Sequence, residues 1–201
     1  MDGYRFVKLS KLDEHNLQQV AVLHRSVMHT LLSDLGLPII QKYYQIARDD
    51  PSVVGMAALS LSNEIAGWTV GSPDPASLNM KLRTPLPWFL VQMMRLGIAR
   101  PLVLMQLFAS VLSSSDMEIG KHAIELTYIG VSSAHQGKGL GRTLLNNFIE
   151  ESRSCGYHSV VLSVEAENKA ALALYEVSGF KIVRSFSEGR YQRYRMEFAL
   201  A

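Results

Sequence analysis

The chain has 201 residues, 48% of them hydrophobic and 19% charged, with 20 basic against 18 acidic side chains for a net charge of +2. That length suits one ordinary domain with at most an elaborated insertion, and the apolar bias excludes intrinsic disorder. The near-even charge does not mark a nucleic-acid binder; the lone Cys155 excludes an internal disulfide or a cysteine-built zinc site and fits a reducing cytoplasm.

The opening MDGYRFVKLSKLDEH has no basic region followed by an apolar core, so no secretory signal is expected there. Tyr4 to Leu9 reads as a strand. From Asp13 to Leu31 the residues Leu17, Val20, Ala21, His24, Val27, Met28 and Leu31 share one helical face, with His24 expected as a satisfied core residue. A second helix begins at Pro38 and carries Ile39, Ile40, Tyr43, Tyr44 and Ala47. Strands at Val53–Ser60 and Glu64–Val70 follow, joined by a turn at Ser62-Asn63.

Prolines then punctuate Gly71–Gly120, where two short apolar helices are expected, Pro87–Ala99 and Pro101–Ser114. This insertion packs on the core, lids a substrate, joins two subunits or faces a membrane; the sequence leaves these open. Its longest charge-free run, Pro101 to Ser115, falls short of the ~20 apolar residues of a spanning helix.

After Gly120 the apolar alternation of Ile124, Leu126 and Tyr128 slips by one residue to Ile129 and Val131, as a β-bulge would produce. A helix with Leu140, Leu144, Leu145, Phe148 and Ile149 on one face closes at Cys155-Gly156, Cys155 reading as a small apolar filler. His158–Glu165 is a strand. Asn168 caps a helix with Leu172, Tyr175 and Val177 inward, ending at Gly179. Phe180–Phe186 and Tyr191–Leu200 form a hairpin around Ser187-Glu188-Gly189, with Arg193 and Arg195 on a solvated strand face. Strand, helix, strand, helix and hairpin in that order predict an α/β fold, a mixed sheet flanked by helices.

The stretch that carries chemistry is Gln136-Gly137-Lys138-Gly139-Leu140-Gly141-Arg142, between a strand and an amphipathic helix. Glycines let backbone approach a ligand, and the first amides of a helix have no internal acceptor. With the helix dipole, Lys138 and Arg142 they suit a diphosphate. A dinucleotide fingerprint is excluded because Arg142 stands at its third glycine, and no phosphate-loop string ending in Gly-Lys-Ser/Thr occurs. No metal-ligand set is visible among the six scattered histidines.

Gln136-x-x-Gly139-x-Gly141 after IELTYIGVSS, with NKAALALYEVSGF from Asn168 to Phe180, resembles the GNAT superfamily of acyl-CoA-dependent N-acetyltransferases, closely from Ile124 to about Phe186. The resemblance implies a single GNAT-like domain over 1–201, with the helical insertion at about 71–120 placed before the cofactor-binding strand. It implies acetyl-CoA as co-substrate without a metal, held by Ile129, Gly130 and Val131 along the pantetheine arm, by the amides from Gln136 through Arg142 at the pyrophosphate, and by Asn168. Tyr175 takes the place of the tyrosine that protonates the departing thiolate. Glu125 stands where some members carry a catalytic base, with Glu165 or a water chain as alternatives. A small-molecule primary amine is the expected acceptor; a protein N-terminus, or a non-catalytic CoA-binding role, is the alternative. A homodimer or a membrane contact through the insertion stays open, and no nucleic-acid partner is expected.

Overall fold

Asp13 accepts the Asn16 amide and so opens helix α1, Glu14–Val27. The helix ends four residues earlier than its apolar stripe suggests, because Thr30 caps a separate short helix α2, Leu31–Asp34. Helix α3, Leu37–Asp49, carries Pro38 in its first turn as expected. The structure, a computed structural model, describes residues 3–28, 30–99, 120–188 and 191–200.

Seven strands form one mixed sheet: β1 Tyr4–Lys8, β2 Val54–Ser60, β3 Ile65–Ser72, β4 Ala123–Val131, β5 Ser159–Glu165, β6 Lys181–Glu188 and β7 Tyr191–Ala199. Their order is β1-β2-β3-β4-β5-β7-β6. Every neighbouring pair is antiparallel except β4 and β5. The insertion contributes α4, Pro75–Lys81, and α5, Leu86–Ala99. Helix α4 is too short for periodicity to reveal; α5 matches the first expected insertion helix, and the second, Pro101–Ser114, lies outside the described residues. Helix α6 is Leu140–Ser154 and α7 is Lys169–Val177. Within α7 Tyr175 is buried, but Val177 is 69% exposed rather than inward. Cys155 is exposed at the C-terminus of α6, not a core filler, while Gly156 takes the left-handed conformation expected there.

Two apolar layers sandwich the sheet. On one face α1 and α3 bury Leu17, Val20, Ile39, Ile40, Tyr43 and Tyr44 against Trp68 and Val70, with Tyr128 packed at the edge. On the other, α6 and α7 bury Leu145, Phe148 and Tyr175 against Ile124, Leu126, Leu162 and Met196. No helix among the described residues is long and apolar enough to cross a membrane.

A buried chain of hydrogen bonds holds the first layer. The Trp68 indole N–H, only ever a donor, gives to the Tyr44 hydroxyl at 2.7 Å. The Tyr44 proton is then best placed on His24 Nδ1, 2.8 Å away, which leaves the His24 Nε2–H to donate to Thr30 Oγ1 at 3.3 Å. His24 is thus a satisfied core residue, fully buried, and burial pushes its pKa down from 6.5 to about 4. Between these values the unfolded chain binds a proton that the folded chain refuses, so stability falls as pH falls from 6.5 to 4. Urea denaturation across this window should show a loss of a few kcal/mol in wild type, and His24→Gln should flatten that part of the profile.

Candidate functional site

Strands β4 and β5 pair only over Ala123–Glu125 against Ser159–Val161. Beyond Glu125, β4 stays with β3 while β5 stays with β7 through Glu165. A fork therefore opens between them. The bulge sits at its base: Val70 pairs Tyr128 and Gly71 pairs Leu126, which leaves Thr127 as the extra residue. Periodicity places the slip one position later, because the changed phase becomes visible only after the extra residue has passed.

The backbone of β4 beyond the bulge faces the fork in alternation. The Ser132 amide donates toward β3, to the Ala66 carbonyl. Residues two apart point the same way, so Gly130 also faces β3 while Ile129 and Val131 turn their N–H and C=O groups to the unpaired edge. The Val131 carbonyl is taken there by the Gln136 side chain at 3.1 Å. Gln136 thus fastens the glycine loop to the end of β4. Gly130 answers to packing as well as to ligand approach: a β-carbon there would lie 2.5 Å from the ring of fully buried Trp68.

The loop ends at Gly139, the N-cap of α6, with φ +75°; Gly137 has φ +73°. Both angles suit glycine and are strained for other residues. The first bond into the helix runs from the Thr143 amide to the Gly139 carbonyl. The amides of Leu140, Gly141 and Arg142 are therefore without a helical acceptor. Leu140 is buried and anchors the turn, while Lys138 and Arg142 are exposed around it. Asn168 caps α7 by accepting the Ala171 amide at 3.1 Å, which leaves its side-chain NH₂ to donate to a ligand.

Glu125 occupies the last rung before the fork. Arg195, on β7, reaches past β5 to grip both its oxygens, at 2.8 and 3.0 Å, and also donates to Ser163 at 3.0 Å. Arg195 is 7% exposed, so the expectation of a solvated arginine face is corrected. Strand alternation gives the face of a residue but not what lies over it. Arg193 pairs with Glu165, its direct cross-strand partner, at 3.5 Å. Tyr43 lies nearby in edge contact with Tyr128, and its buried hydroxyl has no hydrogen-bond partner among the described residues. Tyr175 belongs to the opposite layer, beneath α6 and α7; burial pushes its phenol up to about 12. Glu125, between Ile124 and Leu126 on its strand, and Tyr175 thus belong to opposite faces of the sheet. Among the described residues no three His, Cys, Asp or Glu side chains are grouped to hold a metal.

Residues 102–180 match the model of the Acetyltransferase (GNAT) family. Over that stretch the chain is similar to the GNAT acetyltransferases. It is 44% identical over 62 residues to the L-amino acid N-acyltransferase MnaT of Escherichia coli, covering 31% of this chain and 36% of that protein. The match thus spans about a third of this first relative. A mycothiol acetyltransferase of Rhodococcus erythropolis is 29% identical over 182 residues, 84% of this chain and 56% of the relative. Among solved structures, yncA of Salmonella typhimurium with its cofactor acetyl-CoA superposes with a TM-score of 0.63 at 17% identity, covering 100% of this chain and 95% of that one. The ribosomal-protein-S18-alanine N-acetyltransferase of Escherichia coli gives 0.62 at 16% identity, covering 98% and 94%. These two likenesses, at 17% and 16% identity, establish a shared fold.

Removing one partner of a largely buried ion pair strands the other. Arg195→Met should therefore destabilise the protein by about 2 kcal/mol, less than a fully buried pair because Glu125 keeps some solvent access. Adding Glu125→Gln should recover part of that loss, since a neutral amide no longer needs the guanidinium. A urea-denaturation double-mutant cycle measures the coupling.

Proposed function

We propose that this chain transfers an acetyl group from acetyl-CoA to the primary amine of a small molecule, by direct attack with both substrates bound. The observation that carries this reading is the fork, where the free edge of β4 runs into unpaired amides at the start of α6. An amide-rich pantetheine arm can bond to Ile129 and Val131 as an added strand would. The amides of Gly139 through Arg142, with Lys138 and Arg142, suit the diphosphate. The Asn168 NH₂ is free to reach the arm. Acetyl-CoA, when bound, supplies an acyl group activated as a thioester.

Within that frame Glu125 receives the proton of the attacking ammonium, directly or through water. Arg195 engages each carboxylate oxygen once, which leaves further lone pairs to accept. The same contacts hold the carboxylate in one orientation at the base of the fork. Tyr175 stays protonated through neutral pH, because its pKa is about 12. It therefore acts as a hydrogen-bond donor toward the departing sulfur. The names of the relatives support a small acceptor: one is an L-amino acid N-acyltransferase and another an L-methionine sulfoximine/L-methionine sulfone acetyltransferase. A single cysteine and a dependence on acetyl-CoA support a cytoplasmic setting.

Gly139→Glu places a side chain at a left-handed cap and a negative charge beside the diphosphate. It should abolish acetyl-CoA binding in calorimetry while far-UV circular dichroism stays native; unchanged affinity in a folded variant contradicts the reading.

Tyr175→Phe should leave acetyl-CoA affinity near wild type and lower kcat by up to ~10²-fold. Glu125→Gln should remove the acidic limb of the pH–rate profile measured by thiol release over an amine panel. A profile identical to wild type assigns proton removal to Glu165 or to water instead.

A further inference from the structure

Helix α5 has an unusual surface. It is apolar nearly all round, and such a helix is normally covered on all sides. One side is covered here: Trp88 and Met93 pack on the first core layer, and Leu96 is buried. Among the described residues nothing covers the opposite side. Leu86, Leu90, Val91, Met94 and Ile98 are exposed, Leu90 at 54%, Met94 at 63% and Ile98 at 81%. At about 100° per residue they occupy roughly 140° of the helix circumference, along a stripe about 18 Å long. Met80, on α4, adds another exposed apolar side chain, at 62%.

Charge identifies what fits this stripe. From Pro75 to Ser115 the sequence holds Lys81, Arg83, Arg95 and Arg100 and not one acidic residue. Asp50 engages Lys81 from outside this stretch, at 2.6 Å. Arg83 and Arg95 are exposed, and neither has an ion-pair partner among the described residues. Arg95 lies at the edge of the apolar arc. A two-fold contact between copies would bring these cations against their own mates with no acid from the same stretch to pair them. A bilayer with anionic headgroups offers both an apolar layer and negative charge. Helix α5 is 14 residues long, about 21 Å, which is too short to span a hydrocarbon core of about 30 Å but suited to lying in its surface.

We propose that the exposed face of α5 docks on an anionic lipid surface, with Leu86, Leu90, Met94 and Ile98 entering the headgroup boundary and Arg83 and Arg95 meeting the phosphates. The full-length chain is mixed with phosphatidylcholine vesicles, with or without phosphatidylglycerol, and floated at low and high salt. Wild type should float with the phosphatidylglycerol vesicles, weakly or not at all with phosphatidylcholine alone, and less as salt rises. Replacing both Leu90→Asp and Met94→Asp should lower the partition coefficient at least tenfold, and Arg83→Gln or Arg95→Gln should lower it about fivefold each. Because these side chains are exposed, circular dichroism should be unchanged in every variant. Failure of wild type to float at low salt overturns the proposal, as does equal binding to both vesicle types or equal binding by the variants. Self-association that the same substitutions abolish, without vesicle binding, would assign the face to a second copy and equally overturn it.

Discussion

The parting of β4 from β5 after a single three-residue rung is the constraint on which the rest of the site depends. A parallel pair is stable only while both strands keep their ladder, and here each strand has a stronger claim elsewhere. Strand β4 follows β3 to Val131, and β5 follows β7 to Glu165. The free edge of β4 that results leaves the backbone groups of Ile129 and Val131 unpaired within the sheet, and the proposed ligand site rests on them. Glu125 and Arg195 sit at the point of divergence, a charged clasp joining β4 to β7 across the intervening strand.

Several local choices converge on that geometry. Thr127, the extra residue, turns β4 at the base of the fork. Gly130 lets the strand pass over Trp68, whose indole is itself fixed by Tyr44 and, through Tyr44, by His24. Gln136 ties the glycine loop to the last carbonyl of the strand. The left-handed Gly137 and Gly139 then deliver the chain into α6 with its first amides unbonded. None of these residues is interchangeable with a neighbour, because each answers a different demand: an extra residue, a missing β-carbon, a side-chain amide and a positive φ.

Much of this was legible from residue order. The glycine spacing before Leu140, the cap at Asn168 and the alternation of β7 each follow from a local rule, and all three elements stand where those rules put them. What was hidden depends on neighbours distant in sequence. Arg195 lies on the predicted face of β7, but only the juxtaposition with Glu125, 70 residues away, shows it to be buried and paired. Helix α1 stops at Val27 because Thr30 both caps α2 and bonds His24, which an apolar stripe cannot report. Tyr43 was readable as a core aromatic, while its edge contact with Tyr128 is a tertiary fact. The insertion was recognisable by its prolines and apolar runs, yet the exposed face of α5 emerges only once Trp88, Met93 and Leu96 are seen to turn inward.

The free edge of β4 and the first turn of α6 together are the proposed seat of acetyl-CoA. Residue-resolved amide hydrogen exchange by NMR, with and without acetyl-CoA, tests it most directly. Added protection is expected at the amides of Ile129 and Val131 and at Gly139 through Arg142, with the Gly130 amide, already turned toward β3, little changed. Saturable binding that protects none of these fork-facing amides would contradict it.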